Sequence, residues 1–347
     1  MKQVIVVGAG ATVAEAGRPK RSEIPPLDAT FFELCTFAKL SGRPKVRNYV
    51  VNRFGVDPFA GGFGMEEIFN LIYTDSLSNP PPTGCLEAYW LLLKLYANAI
   101  GHTTNRLKGT SRSGVGKMLR HFYLDDTDQE LSFVTFNQDL VIEKAIDFAK
   151  KTKQYSHVPW SLGDCYGVSF ADIYPFTTHT QFRNVVGEKS IKIHKLHGSL
   201  NWLYNVRSNS DPMNSIRKPK GSIHCLNSHD VVHNLQFSSG RGRSINVIPL
   251  IVPPIHEKSQ YSQNLSPIWT HAANDISSCD SLIFFGYSLP AADAWARTLL
   301  RAAIYSNPKL TDVSIIDPSS VSASRVREVI GARSLHHYAD MDAFLRN

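Results

Sequence analysis

The sequence predicts an α/β protein: a doubly wound, parallel, Rossmann-like sheet interrupted by a helical insertion. The first observation is a series of β-branched and aromatic runs at residues 3–7, 131–136, 190–196, 245–254, 281–289 and 311–318. Continuous apolar runs of this length are expected of strands buried on both faces. The second is that helical patterns alternate with most of these runs, as the crossovers between parallel strands require. The third is a change of texture: residues 31–125 show helical spacing and no convincing strand. The expected division is therefore a Rossmann-like domain of residues 1–30 and 126–347, with residues 31–125 as a helical insertion or subdomain.

The elements follow in order. The strand at 3–7 runs into Gly8-Ala9-Gly10-Ala11-Thr12 and a first helical turn at Val13-Ala14-Glu15-Ala16. Glycines at a strand-to-helix turn let backbone N–H groups approach an anion, and the helix dipole adds to the attraction. The third glycine of the dinucleotide fingerprint is missing, since Ala14 or Glu15 stands near its place. No acidic residue ends a second strand about 20 positions on, so the usual dehydrogenase half is not expected. Gly17, Pro19, Pro25 and Pro26 break residues 18–28 into a loop. Helices are expected over 29–40, 65–73, 86–100 and 115–122, with a breaker at Asn79-Pro80-Pro81-Pro82-Thr83-Gly84. The strand at 131–136 leads through Asn137-Gln138-Asp139 to a helix at 140–151. After the strand at 190–196, residues 203–245 are polar and read as a β-hairpin excursion or a loop. Helices at 291–305 and 319–331 separate the later strands, and a short strand at 334–338 precedes a terminal helix at 340–345.

The bulk properties set bounds. A chain of 347 residues, 43% hydrophobic, is long enough for one large domain or two ordinary ones with a substantial core. No run approaches the roughly 18 uncharged apolar residues of a membrane span. The short apolar start meets Gly8-Ala9-Gly10 at once, which reads as a first strand of a cytoplasmic protein rather than a secretory signal. The net charge of +7 raises the question of a polyanionic partner. The basic clusters at Arg18-Pro19-Lys20-Arg21, Arg217-Lys218-Pro219-Lys220 and Arg241-Gly242-Arg243 are short, scattered and free of interleaved aromatics. They read as solvated surface, with nucleic acid involved at most indirectly and no membrane. The cysteines, Cys35, Cys85, Cys165, Cys225 and Cys279, show neither a pairing pattern nor a Cys-x-x-Cys. His224, Cys225, His229 and His233 have a spacing that suits a metal, but no apolar frame to fix them, so a histidine-rich surface loop is expected there.

Polar residues end the expected strands: Asn137 and Asp139, His197 and Ser199, Gly286 and Ser288, and Asp317. Ligands of open α/β sheets bind at such carboxyl ends. Histidine, with an ordinary pKa of about 6.5, accepts a proton readily at neutral pH. Structural explanations stand beside these. His197 suits a strand end pinned by a carbonyl, Asn137, Asp139 and Ser288 suit helix caps, and Asp317-Pro318-Ser319 suits a turn.

Taken in order, Gly-Ala-Gly-Ala-Thr, Thr-Phe-Asn-Gln-Asp, Leu-His-Gly-Ser, Phe-Gly-Tyr-Ser-Leu and Ile-Asp-Pro resemble the sirtuin superfamily, and within it the bacterial sirtuin-like NAD hydrolases of anti-phage defence. The resemblance spans residues 1–30 and 130 to about 320 and leaves 31–125 without a counterpart. It implies that Gly8, Ala9, Gly10 and Thr12 hold the NAD diphosphate. It implies that Asn137 orients the nicotinamide ribose or the attacking water, that Asp139 contacts the nicotinamide carboxamide, and that His197 is the general base. Gly286, Ser288 and Ser199 would line the nucleotide, and Asp317 would accept from the adenine ribose. Asp28 falls in a loose match, Ile24-Pro25-Pro26-Leu27-Asp28, to another family loop. NAD would be substrate, with no metal. Homo-oligomers, or complexes with a HerA-type DNA translocase or a short Argonaute, are the implied assemblies. Deacylating relatives carry a four-cysteine zinc module that this chain cannot make, which leaves water as the expected nucleophile. Protein deacylation, ADP-ribosyl transfer and a non-catalytic NAD-sensing role are the alternatives. Elemental analysis of the purified chain is expected to find no stoichiometric zinc; one zinc per chain would overturn this.

Overall fold

The computed structural model describes all residues except 18–23, 111, 125–128, 153–159, 161, 163–164, 168–171, 175–190, 206–222, 227–235, 239–243, 257–258 and 291–292. Its centre is a parallel sheet of β1 (Lys2–Val7), β2 (Glu130–Thr135), β4 (Lys192–Lys195), β9 (Ser281–Phe285), β10 (Asp312–Ile316) and β11 (Ser334–Tyr338). The spatial order is β11-β10-β9-β1-β2-β4. Numbered within this sheet alone, that is 3-2-1-4-5-6, the Rossmann order, whose switch point falls between β1 and β9. Right-handed crossovers that run in opposite directions from β1 place helices on both faces. On the β2 side lie α1 (Ala9–Ala16), α6 (Gly114–Leu119) and α7 (Val141–Lys150), which pack on one another. The helix α8 (Ser259–Ser278) packs against β4 and β1 and on α9 (Ala294–Tyr305), which packs in turn on α10 (Ser320–Ile330), and α11 (Met341–Leu345) packs on β11.

Among the described residues, 31–124 contain helices and no strand, as the texture of that stretch implies. Four of them are α2 (Phe31–Phe37), α3 (Arg43–Phe54), α4 (Met65–Ser76) and α5 (Cys85–Thr104). The others wrap α5, whose Tyr89, Leu92, Leu95, Tyr96 and Ala99 are buried. Phe31 and Phe69 meet the Tyr96 ring edge-on at centroid distances of 6.1 and 5.9 Å. The apolar face of α5 is thus covered within its own chain. Its C-terminal end is tied to α7, where Lys144 Nζ donates to the Thr104 and Asn105 carbonyls at 2.9 and 3.1 Å. A cation on the last carbonyls of a helix satisfies both the orphan acceptors and the dipole.

Three features depart from the sequence reading. The run at 245–254 and part of the polar stretch 203–245 belong to a second sheet, of order β3-β6-β5-β8-β7. It comprises β3 (Asp172–Tyr174), β5 (Gly198–Asn205), β6 (Ile223–Leu226), β7 (Gln236–Ser238) and β8 (Ser244–Ile251). Within it, β8 runs antiparallel to β5 and β7 instead of joining the parallel sheet. The chain changes sheets at Gly198, whose φ of +78° and close approach to the Leu250 carbonyl exclude a side chain. Helix α8 has no sequence expectation because Pro267 lies inside it and its first turns are polar. Helix α3 was hidden by its polar, Pro-containing start, Arg43-Pro44-Lys45. The basic clusters at 18–21, 217–220 and 241–243, and His229 and His233, lie in whole or in part outside the described residues.

At the switch point the turn after β1 locks into the turn after β9. Gly8 N–H donates to the Phe285 carbonyl at 3.1 Å and Gly10 N–H to the Gly286 carbonyl at 2.9 Å. A Cβ on Gly8 would sit 2.6 Å from the Gly286 carbonyl oxygen, and one on Gly10 would sit 2.8 Å from the same atom. Gly286 has φ +59°, and a Cβ there would lie 2.5 Å from the Gly10 carbonyl carbon and nearer still to the Ala11 nitrogen. Gly286→Ala is expected to cost about 2–5 kcal/mol, the left-handed penalty plus overpacking. Chemical denaturation that finds the variant within 0.5 kcal/mol of the parent, on the order of a neutral surface change, would contradict the interlock.

Candidate active site

The sheet order collects the strand-end residues on one edge. Asp317 follows β10, Gly286 follows β9, Gly8 follows β1, Asn137 lies just past β2 and His197 just past β4. Because these strands are adjacent and parallel, the residues stand along the carboxyl edge in the order Asp317, Gly286, Gly8, Asn137, His197. That edge, at the switch point, is the ligand-binding position of such sheets.

Thr135 shapes the exit from β2. Its hydroxyl donates to the Val7 carbonyl at 3.1 Å and accepts the Asn137 N–H at 3.0 Å. Asn137 is half-buried between buried neighbours. Its amide nitrogen donates to the Gly8 carbonyl at 2.9 Å and to Thr12 Oγ1 at 3.0 Å. A carbonyl can only accept, so the orientation of the amide is settled and Oδ1 is its acceptor. Thr12 Oγ1 in turn donates to Asp139 Oδ2 at 2.7 Å, and Val141 N–H donates to Asp139 Oδ1 at 3.0 Å. Thr12 and Asp139 are 5% and 7% exposed, so neither presents its polar group freely to a ligand. Burial pushes the Asp139 carboxyl up from the usual range, opposed by the Lys195 charge and by the Thr12 and Val141 hydrogen bonds.

Below this loop lies a buried ion pair. Lys195 Nζ donates to Glu143 Oε1 at 2.9 Å and to the Asp139 carbonyl, with both side chains essentially without exposure. Tyr166 OH donates to Glu143 Oε1 at 2.9 Å. From above, Tyr96 OH of α5 donates to Gln138 Oε1 at 3.0 Å, which joins the helical segment to the Asn137–Asp139 loop.

His197 sits in the turn from β4 to β5, half-buried, with its carbonyl accepting Val252 N–H at 2.9 Å. Its ring meets Phe136 edge-on at 5.3 Å and lies 6.3 Å from Trp269. Phe136 stacks on Tyr287 at 4.6 Å, and Trp269 Nε1 donates to the Leu196 carbonyl at 2.9 Å. The imidazole therefore stands between two aromatic rings, and the Val252 N–H bond holds its backbone.

The remaining sequence candidates have local tasks. Ser199 has no exposure and donates to Asn201 Oδ1 at 2.6 Å, inside the second sheet. Asp28 is exposed and its Oδ1 accepts Glu66 N–H at 2.7 Å, at the start of α4. Ser288 is exposed, and its carbonyl accepts from Arg325 at 3.2 Å. Asp317 Oδ1 accepts Ser319 N–H at 2.8 Å, the turn geometry its neighbours suggest. The Gly8 and Gly10 N–H groups are engaged by the β9 turn, and Ala9 opens α1, which has no side-chain cap.

Sequence reasoning passed over Lys195, Glu143, Gln138, Phe136, Trp269 and Tyr96. One signal was available: Lys195, a charge placed between the apolar Ile193 and Leu196, asks for a buried counter-ion. Trp269 gave none, because its helix was not foreseen. The cysteines are all buried and free. Burial pushes the Cys35 thiol up to about 12 and the Cys279 thiol up to about 11.

No family model and no curated protein matches the chain. Among solved structures, sirtuins align along nearly its whole length. One, on the structural basis of sirtuin substrate affinity, has 14% identity and a TM-score of 0.35, covering 99% of this chain and 90% of that one. A Sir2 mutant with a p53 peptide and NAD has 14% identity and a TM-score of 0.34, with coverages of 99% and 90%. A third, on the mechanism and regulation of Sir2 enzymes, has 12% identity and a TM-score of 0.38, covering 99% and 89%. The fold assignment itself rests on the strand order.

Lys195→Ala would leave Glu143 charged, unexposed and without its cation. A loss of about 3–5 kcal/mol is expected, with Lys195→Met combined with Glu143→Leu recovering most of it. Urea denaturation that finds the single variant as stable as the parent would contradict this.

Proposed function

We propose that the chain hydrolyses NAD+ at the nicotinamide–ribose bond, releasing nicotinamide and ADP-ribose. The observation behind this reading is the carboxyl edge, where a half-buried Asn137 of fixed orientation and an imidazole, His197, follow adjacent strands beside the switch point. The diphosphate would lie over the uncapped start of α1, whose dipole favours an anion. Because the Gly8 and Gly10 N–H groups are spent on the β9 turn, the helix end contributes more here than those two amides do.

The chemistry asks little of the protein. Nicotinamide departs as a neutral molecule from a pyridinium, so it needs no acid. The ribose becomes oxocarbenium-like and is captured by water, as at other glycosidic bonds. Asn137 Oδ1 would accept from that water or from a ribose hydroxyl, and His197 would take the proton released. The aromatic rings of Phe136 and Trp269 would keep other water away. Depletion of NAD in anti-phage defence is the biological role that we attach to this activity. Because an uncontrolled hydrolase would starve its own cell, control by self-assembly or by a partner belongs to the proposal.

Mass spectrometry of NAD+ incubated with the purified chain, with and without its genomic neighbour, should find nicotinamide and ADP-ribose in equal amounts without any peptide. His197→Ala should slow turnover by about 10²–10⁴-fold with little change in NAD+ affinity. A folded His197→Ala protein that works at the parent rate would end this reading.

A further inference from the structure

We infer that Thr12 and Asp139 are positioning residues for Asn137, acting through a directional hydrogen-bond chain, and that neither is a contact for the substrate. The inference rests on the hydrolase reading for its kinetic consequence and on the geometry alone for its structural one.

The direction of the chain follows from the donor and acceptor inventory. Asp139 Oδ1 accepts from the Val141 backbone, which anchors the carboxylate at the start of α7. Oδ2, 2.7 Å from Thr12 Oγ1, takes the hydroxyl proton. With its proton committed, the hydroxyl has only lone pairs to offer Asn137, and it accepts the amide N–H at 3.0 Å. The second amide proton goes to the Gly8 carbonyl at 2.9 Å. Two donor bonds at fixed angles hold the planar amide, so the place of Oδ1 is decided by groups that lie behind it. The link joins residues 127 positions apart, from α1 to the loop after β2, across the pair of strands on which the site stands.

The surroundings agree. The charged and titratable groups around Asp139 are Lys195 of β4, Glu143 of α7, Glu15 of α1 and Tyr96 of α5. Lys195 also donates to the Asp139 backbone carbonyl, so the carboxylate is held at its main chain as well as at both oxygens. A group so fully engaged, and 7% exposed, is built to keep its place rather than to receive a nicotinamide amide.

Three variants of the full chain test this: Thr12→Val, which keeps shape and removes the hydroxyl, Thr12→Ser, which restores it, and Thr12→Ala in case the valine variant fails to fold. Steady-state kinetics with NAD+ and the side-chain amide signals of Asn137, assigned in 15N-labelled protein by their loss in Asn137→Ala, are the readouts. Thr12→Val should lower kcat by about 10–100-fold with KM changed less than about threefold, and Thr12→Ser should stay near the parent. The Asn137 amide pair should shift and exchange faster with solvent in Thr12→Val and Thr12→Ala, and return in Thr12→Ser. A rise in KM alone would make Thr12 a substrate contact and overturn the inference. So would unshifted Asn137 signals. If the parent chain consumes no NAD+ either alone or with its genomic neighbour, the hydrolase reading falls and the amide signals still decide the positioning.

Discussion

The interlock of two glycine turns at the switch point constrains everything built above the sheet. Gly8 and Gly10 press against the Gly286 carbonyl at distances that no Cβ tolerates, and two backbone hydrogen bonds close the contact. This fixes where α1 begins, and so where Thr12 stands. Thr12 then meets Asp139, and Asn137 is set between Thr12 and the Gly8 carbonyl. A motif that reads as phosphate-binding is, in its glycines, first a device for bringing two strand ends within backbone contact. The helix end that results carries no side-chain cap, and the Gly286 carbonyl takes its Gly10 N–H.

The second constraint is polar and lies deeper. Lys195, Glu143 and Tyr166 form a buried group directly under the loop that carries Asn137. Burying a charge pair is worthwhile only where geometry satisfies it, and such pairs contribute more to uniqueness than to stability in some proteins. Here the lysine spends a further donor on the Asp139 carbonyl, so the pair dictates the path of the loop. The site is thus held from three sides: the glycine turns, the ion pair and Tyr96 of α5.

Much of this is legible in the sequence, for identifiable reasons. Strands buried on both faces announce themselves as apolar runs, and the polar residue that ends such a run marks the carboxyl edge; Asn137, His197 and Asp317 are found in that way. The second sheet is only partly legible: a β-hairpin excursion is one reading of 203–245, but its strands come partly from within that polar stretch and its register depends on β5. Helix α8 escapes because Pro267 sits within it. The partnership of Thr12 with Asp139 escapes for another reason. A hydrogen bond across 127 positions leaves no periodicity, and each residue alone suits a different role. Ser199 and Asp28, which match a pattern, make hydrogen bonds within a buried strand and at a helix start.

The docking of the helical segment bears on whether it could be separated from the sheet. Inserted domains usually join their host through a pair of linkers and can be excised without injury to either. Here the host supplies Lys144 to finish α5, and α5 supplies Tyr96 to finish the host's Gln138 loop. Excision would strip carbonyl partners from a buried ammonium and a hydroxyl from a buried amide. Each half has therefore become part of the other's interior, and changes that loosen the helices are transmitted to the loop that holds Asn137. The helical segment and the sheet are thus one folding unit at this junction, and the outer faces of the helices are the part of the segment free to vary without touching it.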